Sequence, residues 1–322
     1  MRREGSPFTG VSAVFMKEYA DHIGSARMRV LEWLVVLTGI GAVALSIRDF
    51  KGLVESDRFL FLKLFSYATE SIPVSFLFFV SFLVPLMAIG LGFDAVNSEF
   101  NRRTMSRILA QPIYRDALLL GKFLAGLATL STGLVALWLI VIGAGLFTMG
   151  VPPSGEEVAR ALAFLVATIA YAGVWLAVAI LFSVIFRSAA TSALCALGLW
   201  LFLTLIWPQL LVPMVVQLFV PPDPVAVQFG QPSAAQLEWA MGLSRLSPFT
   251  LFSEAATAVL QPSTFTLGVV FLSQLQGMLR GTALPLGQSL LIAWPQFTAL
   301  IAAVIVLFAM TYVVFQRQEV RA

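Results

Sequence analysis

The dipeptide Gly121-Lys122 is the first candidate for chemistry, because a Gly-Lys pair closes the phosphate-binding loop of many nucleotide hydrolases. That loop also needs a glycine five residues before the Gly, and a Ser or Thr after the Lys. Asp116 and Phe123 occupy those positions. With one cysteine, Cys195, and one histidine in the chain, a disulfide framework and a conventional zinc or haem site are also not expected. No other recognisable catalytic motif is present, so the sequence predicts no catalysis by this chain.

The same lysine ends the most polar and basic stretch of the chain, residues 93–122. The sequence predicts an amphipathic helix here that begins at Asn97 or Ser98 and stops near Gln111, before Pro112. In such a helix Glu99, Arg103 and Arg107 line up at i, i+4 and i+8, and apolar residues occupy the other side. The helix could pack on the chain's own helices or enter a partner's groove. In the alternative interpretation it is a loop whose arginines only contact anionic lipid or follow the positive-inside rule.

The surroundings of this stretch are those of a membrane protein. Of the 322 residues, 59% are hydrophobic and only 11% are charged, against about 25% charged in an ordinary soluble domain. Mean hydropathy is +0.91, and the net charge of +3 is too small to indicate a nucleic-acid partner. We expect an all-α, polytopic membrane protein in contact with the lipid bilayer.

Six apolar runs are long enough to be transmembrane helices. The predicted spans are 31–47, 74–91, 118–149, 154–186, 189–207 and 295–315. Ser154 and Glu157 have capping-box spacing at the start of the fourth, and Pro208 is expected to disturb the fifth. Glu32, at the inner edge of the first, is expected at headgroup level with its carboxylate reaching water.

Three segments flank the spans. Residues 1–30 contain apolar positions at helical spacing (Val11, Phe15, Tyr19, His22 and Ala26), which predict a helix lying in the membrane interface or, alternatively, a plain soluble helix. Residues 93–117 form the basic loop. Residues 208–286 form a long outer segment with short helices expected at 233–246 and from Ser247-Pro248. This outer segment could gate an exit, bind an extracytoplasmic partner or only cover the span ends.

The basic residues indicate the orientation. Six spans place both termini on one side, and most of the 20 basic residues then fall on that side together with the 93–117 loop. The positive-inside rule makes that side cytoplasmic. We therefore expect a multi-pass protein of a cytoplasmic membrane.

The central stretch also resembles a known signature. Asp94, Glu99, Thr104, Leu109, Gln111-Pro112, Arg115 and Gly121-Lys122 are similar to the inner loop of type-2 ATP-binding-cassette (ABC) transporter permeases. The similarity is closest to the branch that includes the permease of the nitrous-oxide-reductase copper-maturation system. In one respect the chain departs from the family, since the position before Thr104, often Gly, is Arg103.

The resemblance implies a single permease domain over residues 1–322 in a prokaryotic inner membrane. It implies that the chain is not an enzyme, that a separate ATPase subunit holds ATP and Mg and docks on a coupling helix in the loop, and that a second copy of the permease completes the pair. The expected docking residues are Glu99, Arg102, Arg103, Arg107, Gln111, Pro112 and Arg115, and Lys17, Glu18 and Arg27 belong to the expected interfacial elbow. The implied activity is export.

Two other functions remain open at the level of sequence. One is a membrane anchor or assembly subunit without transport, which the scarcity of embedded charges allows. The other is an ion-coupled secondary transporter, for which Pro208 is the only hint of a broken helix. The substrate is not encoded, although an apolar pathway would suit lipid-like or amphipathic cargo.

Overall fold

The computed structural model describes residues 10–317, except 27, 31, 34–35, 38, 42–43, 45–58, 67–74, 106–113, 151, 224–227, 229–230 and 269–282. Within this part the chain is all-helical. The helices are α1 (Val11–Gly24), α2 (Leu60–Ser66), α3 (Phe76–Gly92), α4 (Asn97–Asn101), α5 (Arg115–Met149), α6 (Gly155–Ile185), α7 (Ala189–Leu201), a π-helical segment (Phe202–Leu211), α8 (Val212–Phe219), α9 (Ala234–Ser244), α10 (Pro248–Leu260) and α11 (Leu286–Arg317).

Five of the six predicted spans correspond to helices that are long and apolar enough to cross a membrane. These are α3 with its extension to Asn101, α5, α6, the continuous run Ala189–Phe219 and α11. The predicted first span, 31–47, lies largely outside the described residues. Successive spans alternate in direction, which brings Lys122, α4, the end of α6 and the end of α11 to one end of the bundle. We call this the Lys122 end.

The predicted limits of the last two spans were wrong. The fifth does not stop at Trp207 but continues through Pro208 as a π-helical segment and then as α8 to Phe219. Proline removes a backbone donor, and the wider turn accommodates the ring without ending the helix. The predicted disturbance at Pro208 is therefore confirmed. The sixth begins at Leu286, nine residues before the predicted start, with Pro295 inside it.

Several helix starts agree with their sequence signals. Ser154 and Glu157 form the predicted capping box at the start of α6, in which Ser154 Oγ accepts from the Glu157 amide and the Glu157 carboxylate accepts from the Ser154 amide. A second capping box, between Ser233 and Gln236, begins α9. Helix α10 starts at Pro248, as expected. These starts are local features, and local sequence is sufficient to predict them.

Helix α6 is the centre of the bundle. In the most apolar 18-residue stretch of α6, 83% of the residues are buried, whereas in the corresponding stretch of α11 only 11% are buried. Tyr171 and Trp175 are fully buried in α6, and the Tyr171 ring stacks on Phe252 of α10 at 4.6 Å. Helix α10, from the outer segment, is thus packed into the core against α6 and α11 instead of covering the span ends.

The opposite end of α6 carries a fully buried cation. The Arg160 guanidinium donates to the carbonyl oxygens of Val259 (2.9 Å) and Leu284 and to Ser289 Oγ (3.1 Å), and it pairs with Glu156 at 3.0 Å. Because a buried arginine is tolerated only when its donors are satisfied, these bonds join α6 to α10 and to the start of α11.

Helix α1 packs lengthwise along α5. Val14 is buried against Gly121, where an added Cβ would lie only 2.8 Å from the Val14 side chain, so glycine permits the close approach. Further along, the Tyr19 hydroxyl lies 3.0 Å from Thr132 Oγ. Glu18 also faces α5, because its partner Lys122 is there.

Candidate functional site

Lys122 lies buried between two carboxylates at its end of the bundle. Its side chain is 4% exposed, and its Nζ lies 2.9 Å from Glu18 Oε1 and 2.7 Å from Glu99 Oε1. The three residues belong to α5, α1 and α4 respectively. We call Glu18, Glu99 and Lys122 the Lys122 triad. It connects the N-terminal helix and the loop between two spans to the same turn of α5.

The electrostatics of the triad depend on all three members. Removing a lysine from water is costly unless opposite charges and hydrogen bonds compensate for it, and two carboxylates do so here. Burial alone would raise the pKa of Glu18, but attraction and hydrogen bonding from Lys122, and then from Lys17, lower it below its usual value. Lys17 is 63% exposed and pairs with Glu18 and Asp21, so its contribution is small.

Helix α4 receives its N-terminal cap from α6. Val96, at the N-cap position, makes no side-chain cap bond. Instead Ser183 Oγ of α6 accepts from the Val96 amide at 2.9 Å and from the Asn97 amide at 3.2 Å. Asn101 Nδ2, at the other end of α4, donates to the Arg187 carbonyl at 2.9 Å. Helix α4 is therefore attached to α6 at its start and to Arg187, which follows α6, at its end.

The C-terminus of α4 is a Schellman turn with an arginine in the left-handed position. The Arg103 amide bonds to the Phe100 carbonyl at 3.1 Å and the Thr104 amide to the Glu99 carbonyl at 3.0 Å. Arg103 has φ +55°, the conformation that glycine adopts most easily. This geometry explains why glycine suits the position before Thr104.

The predicted continuous helix from Asn97 to Gln111 is therefore wrong, because α4 ends at Asn101. Glu99 and Arg103 do not form an i, i+4 pair on one helix face, and Glu99 turns inward to Lys122. The signal for this break was the resemblance to a family with Gly at the Arg103 position, since the helical spacing by itself gave no indication of it.

The expected docking residues fall into three groups. Arg102 and Arg103 are exposed, side by side on the Schellman turn. Glu99 is buried, and Arg115 is the first residue of α5. Arg107, Gln111 and Pro112 lie outside the described residues. Of the expected elbow residues, Lys17 is exposed and Glu18 belongs to the triad, whereas Arg27 lies outside the described part.

Sequence reasoning considered Lys122 only as part of a phosphate loop and missed its structural role. A useful signal was present, because Lys122 is followed by a long run without any charged residue up to Met149. A lysine at the edge of such a run needs an acidic partner from elsewhere in the fold. Among the residues that the structure describes, no group of His, Cys, Asp and Glu side chains has the arrangement of a metal site.

Comparison with known proteins shows the family of the chain. The sequence profile described as "ABC-2 family transporter protein" matches residues 12–320. The chain belongs to this family. It is also 31% identical, over 142 residues, to the "Probable ABC transporter permease protein NosY" of Pseudomonas aeruginosa. The aligned part covers 42% of this chain and 50% of the relative, so the match spans about half the length of that protein.

Membership of the ABC-2 family supports a membrane permease subunit of an ABC transporter. The five long apolar helices agree with a multi-pass membrane protein.

Proposed function

We propose that this ABC-2 permease is half of the membrane part of an ATP-driven exporter. Two copies of the chain would pair with two ATPase subunits, which hold ATP and Mg, and move a substrate out of the cytoplasm or the inner leaflet. The Lys122 end would face the cytoplasm of a prokaryotic cell, with both termini on that side, as the basic residues favour. The observation that carries the proposal is the attachment of α4 to α5 and α6 and, through Lys122, to α1.

The docking surface in this proposal is the turn that ends α4. Arg102 and Arg103 are exposed there and adjacent, so two guanidinium groups are available to carboxylates on an ATPase subunit. Arg107, Gln111, Pro112 and Arg115 would extend the same surface towards α5. Glu99 would contribute indirectly, because its carboxylate holds α4 against Lys122 instead of facing a partner.

A movement of the docked turn would reach the spans through specific contacts. A displacement of α4 acts on α5 through the Glu99–Lys122 pair, on α1 through Glu18, and on α6 through Ser183. Because packed helices transmit displacements as rigid bodies, closure of the ATPase subunits would shift the arrangement of α5 and α6 together. Helix α1, packed along α5, would act as the elbow of the coupling device.

The experiment that tests this proposal uses Arg102→Glu combined with Arg103→Glu in the complete complex. We expect the double variant to remain folded in the membrane but to lose co-purification of the ATPase subunit and substrate-stimulated ATP hydrolysis. The matched control is Arg29→Glu with Arg317→Glu, which reverses two exposed charges outside the 93–117 loop. The control should keep both activities.

Two results would overturn the proposal. One is full ATPase stimulation and transport in the Arg102→Glu, Arg103→Glu variant, which would exclude this turn as the docking surface. The other is the repeated absence of any nucleotide-binding subunit from the purified wild-type complex, which would favour an anchoring subunit or an ion-coupled transporter.

A further inference from the structure

A cavity of about 280 Å³ lies beside α5, on the side of the predicted first span. Its lining combines one carboxylate with small and apolar side chains, including Glu32, Val36, Met87, Thr132, Gly133 and Leu134. Glu32 is half-buried, so its carboxylate is reachable from the cavity mouth. This cavity is separate from the Lys122 triad, and nothing in the docking proposal uses it.

The depth of Glu32 follows from the length of α5. Gly133 comes eleven residues after Lys122, which places it about 16 Å further along the helix. The uncharged run from Lys122 to Met149 is about 40 Å long, and a hydrocarbon core of about 30 Å must fit within it. Glu32 Oε1 lies 3.7 Å from the position of a Cβ on Gly133. A hydrocarbon core placed within this helical run would enclose the carboxylate at a depth of about 6 to 16 Å.

Glu32 has no protein counter-ion in the described part of the chain. Within the described residues its carboxylate forms no ion pair or hydrogen bond, and burial is the influence that acts on its charge. The cation that comes next along α5, Lys122, is already bound by Glu18 and Glu99. Thr132 Oγ donates to the Ala128 carbonyl and contacts the Tyr19 hydroxyl, which gives the cavity a small polar rim. An unpaired carboxylate at this depth is costly, and such groups in transporters usually serve a function.

We propose that the cavity binds the head of a cationic amphiphile, with Glu32 as its counter-ion. Val36, Met87 and Leu134 supply apolar walls for the first part of the tail. Because about 280 Å³ is below the usual size of a site that encloses a whole drug-sized ligand, the rest of the tail extends into the lipid. A quaternary or primary ammonium with an alkyl chain satisfies both the charge and the apolar lining. That this amphiphile is cargo rests on the proposed export function.

The test measures binding of radiolabelled dodecyltrimethylammonium to the full-length permease in neutral-lipid nanodiscs, without the ATPase subunit. Dodecyl maltoside and dodecyl sulfate serve as neutral and anionic competitors with the same chain. We expect Glu32→Gln, which removes the negative charge, to weaken binding of the cation at least about tenfold. Glu32→Asp keeps the charge, so its affinity should stay within about threefold of wild type. Asp21→Asn, which neutralises an exposed carboxylate on α1, should leave binding unchanged.

A second variant protects the test against misfolding. Because little surrounds Gly133 except Glu32, Gly133→Leu fills the cavity without a backbone clash and keeps the carboxylate. It should abolish binding while the melting temperature of the protein stays near that of wild type. Unchanged cation binding in both Glu32→Gln and Gly133→Leu, or equal displacement of the probe by dodecyl maltoside, would overturn the proposal.

The outcome is separable from that of the docking experiment. If the ATPase subunit co-purifies and is stimulated but the wild-type permease does not bind the cation, the cavity proposal is wrong and the export proposal is retained. If the cation binds through Glu32 but no ATPase subunit is found, the cavity stands and the exporter fails.

Discussion

Lys122 Nζ lies 2.7 Å from Glu99 Oε1, although the two residues belong to different helices, α5 and α4. The contact turns the carboxylate of α4 inward and leaves Arg102 and Arg103 on the outer surface of the same turn. One ion pair therefore determines which charges of this basic stretch hold the fold together and which are available to a partner.

Replacing Lys122 by methionine should destabilise the permease strongly. The change leaves Glu18 and Glu99 buried without their cation, which typically costs about 3–5 kcal/mol in the free energy of unfolding. Chemical unfolding of the two proteins in micelles measures this loss of stability. The triple variant Lys122→Met, Glu18→Gln, Glu99→Gln removes the uncompensated charges and should recover more than half of the loss. If Lys122→Met costs less than about 1 kcal/mol, the triad does not support the fold.

Replacing Arg103 by glycine should raise stability while weakening the ATPase interaction. At φ +55°, glycine avoids the steric cost of a side chain, worth about 1 kcal/mol. Arg103→Ala is the matched control, because it removes the same charge but keeps a Cβ in the left-handed conformation. We expect the glycine variant to melt at a higher temperature than the alanine variant, with equal loss of ATPase binding. Equal melting temperatures would contradict the strain argument.

Removing the hydroxyl of Ser183 should loosen α4. Ser183→Ala deprives the Val96 and Asn97 amides of their acceptor, and the loss of a helix cap costs about 1–2 kcal/mol. Faster hydrogen exchange over residues 96–101 is the expected measurement. Ser192→Ala offers a control, since the buried Ser192 hydroxyl has no hydrogen-bond partner among the described residues, and it should leave exchange in α4 unchanged. If the α4 amides exchange no faster in Ser183→Ala than in wild type, Ser183 does not act as the cap of α4.

The contact between α1 and α5 should weaken in acid. The pKa of Glu18 in the folded protein lies below its usual value of 4.5, so its ionised form stabilises the fold above that pH. This stabilisation is lost as the pH falls below about 4.5 and through the lower pKa of the folded state. Hydrogen exchange of residues 11–24 should therefore accelerate between pH 5 and pH 3 beyond the intrinsic effect of pH. Glu18→Gln should lack this additional acceleration. If both proteins show it, a titrating group other than Glu18 causes it.

Much of the fold is local and was predictable. Hydropathy over about 20 residues defines helices long enough for a bilayer, and five of the predicted spans match such helices in the structure. The capping boxes at Ser154 and Ser233 and the start of α10 at Pro248 depend on neighbouring residues, so their sequence signals were sufficient. The end of the fifth span was not predictable in the same way, because Pro208 permits either a stop or a π-helical segment and the surrounding helices decide between them.

By itself, then, the sequence determined the membrane class, most of the long helices and the position of the basic stretch between two spans, since each depends on composition or on short-range periodicity. Only the tertiary structure decided how the charges are used. The Glu18–Lys122 pair joins residues 104 positions apart, and Ser183 caps a helix start 87 positions away. A buried charge or amide takes whichever partner the packed helices bring within about 3 Å, and no local pattern specifies that partner. For the same reason, only the tertiary structure showed that Glu32 borders a cavity beside α5.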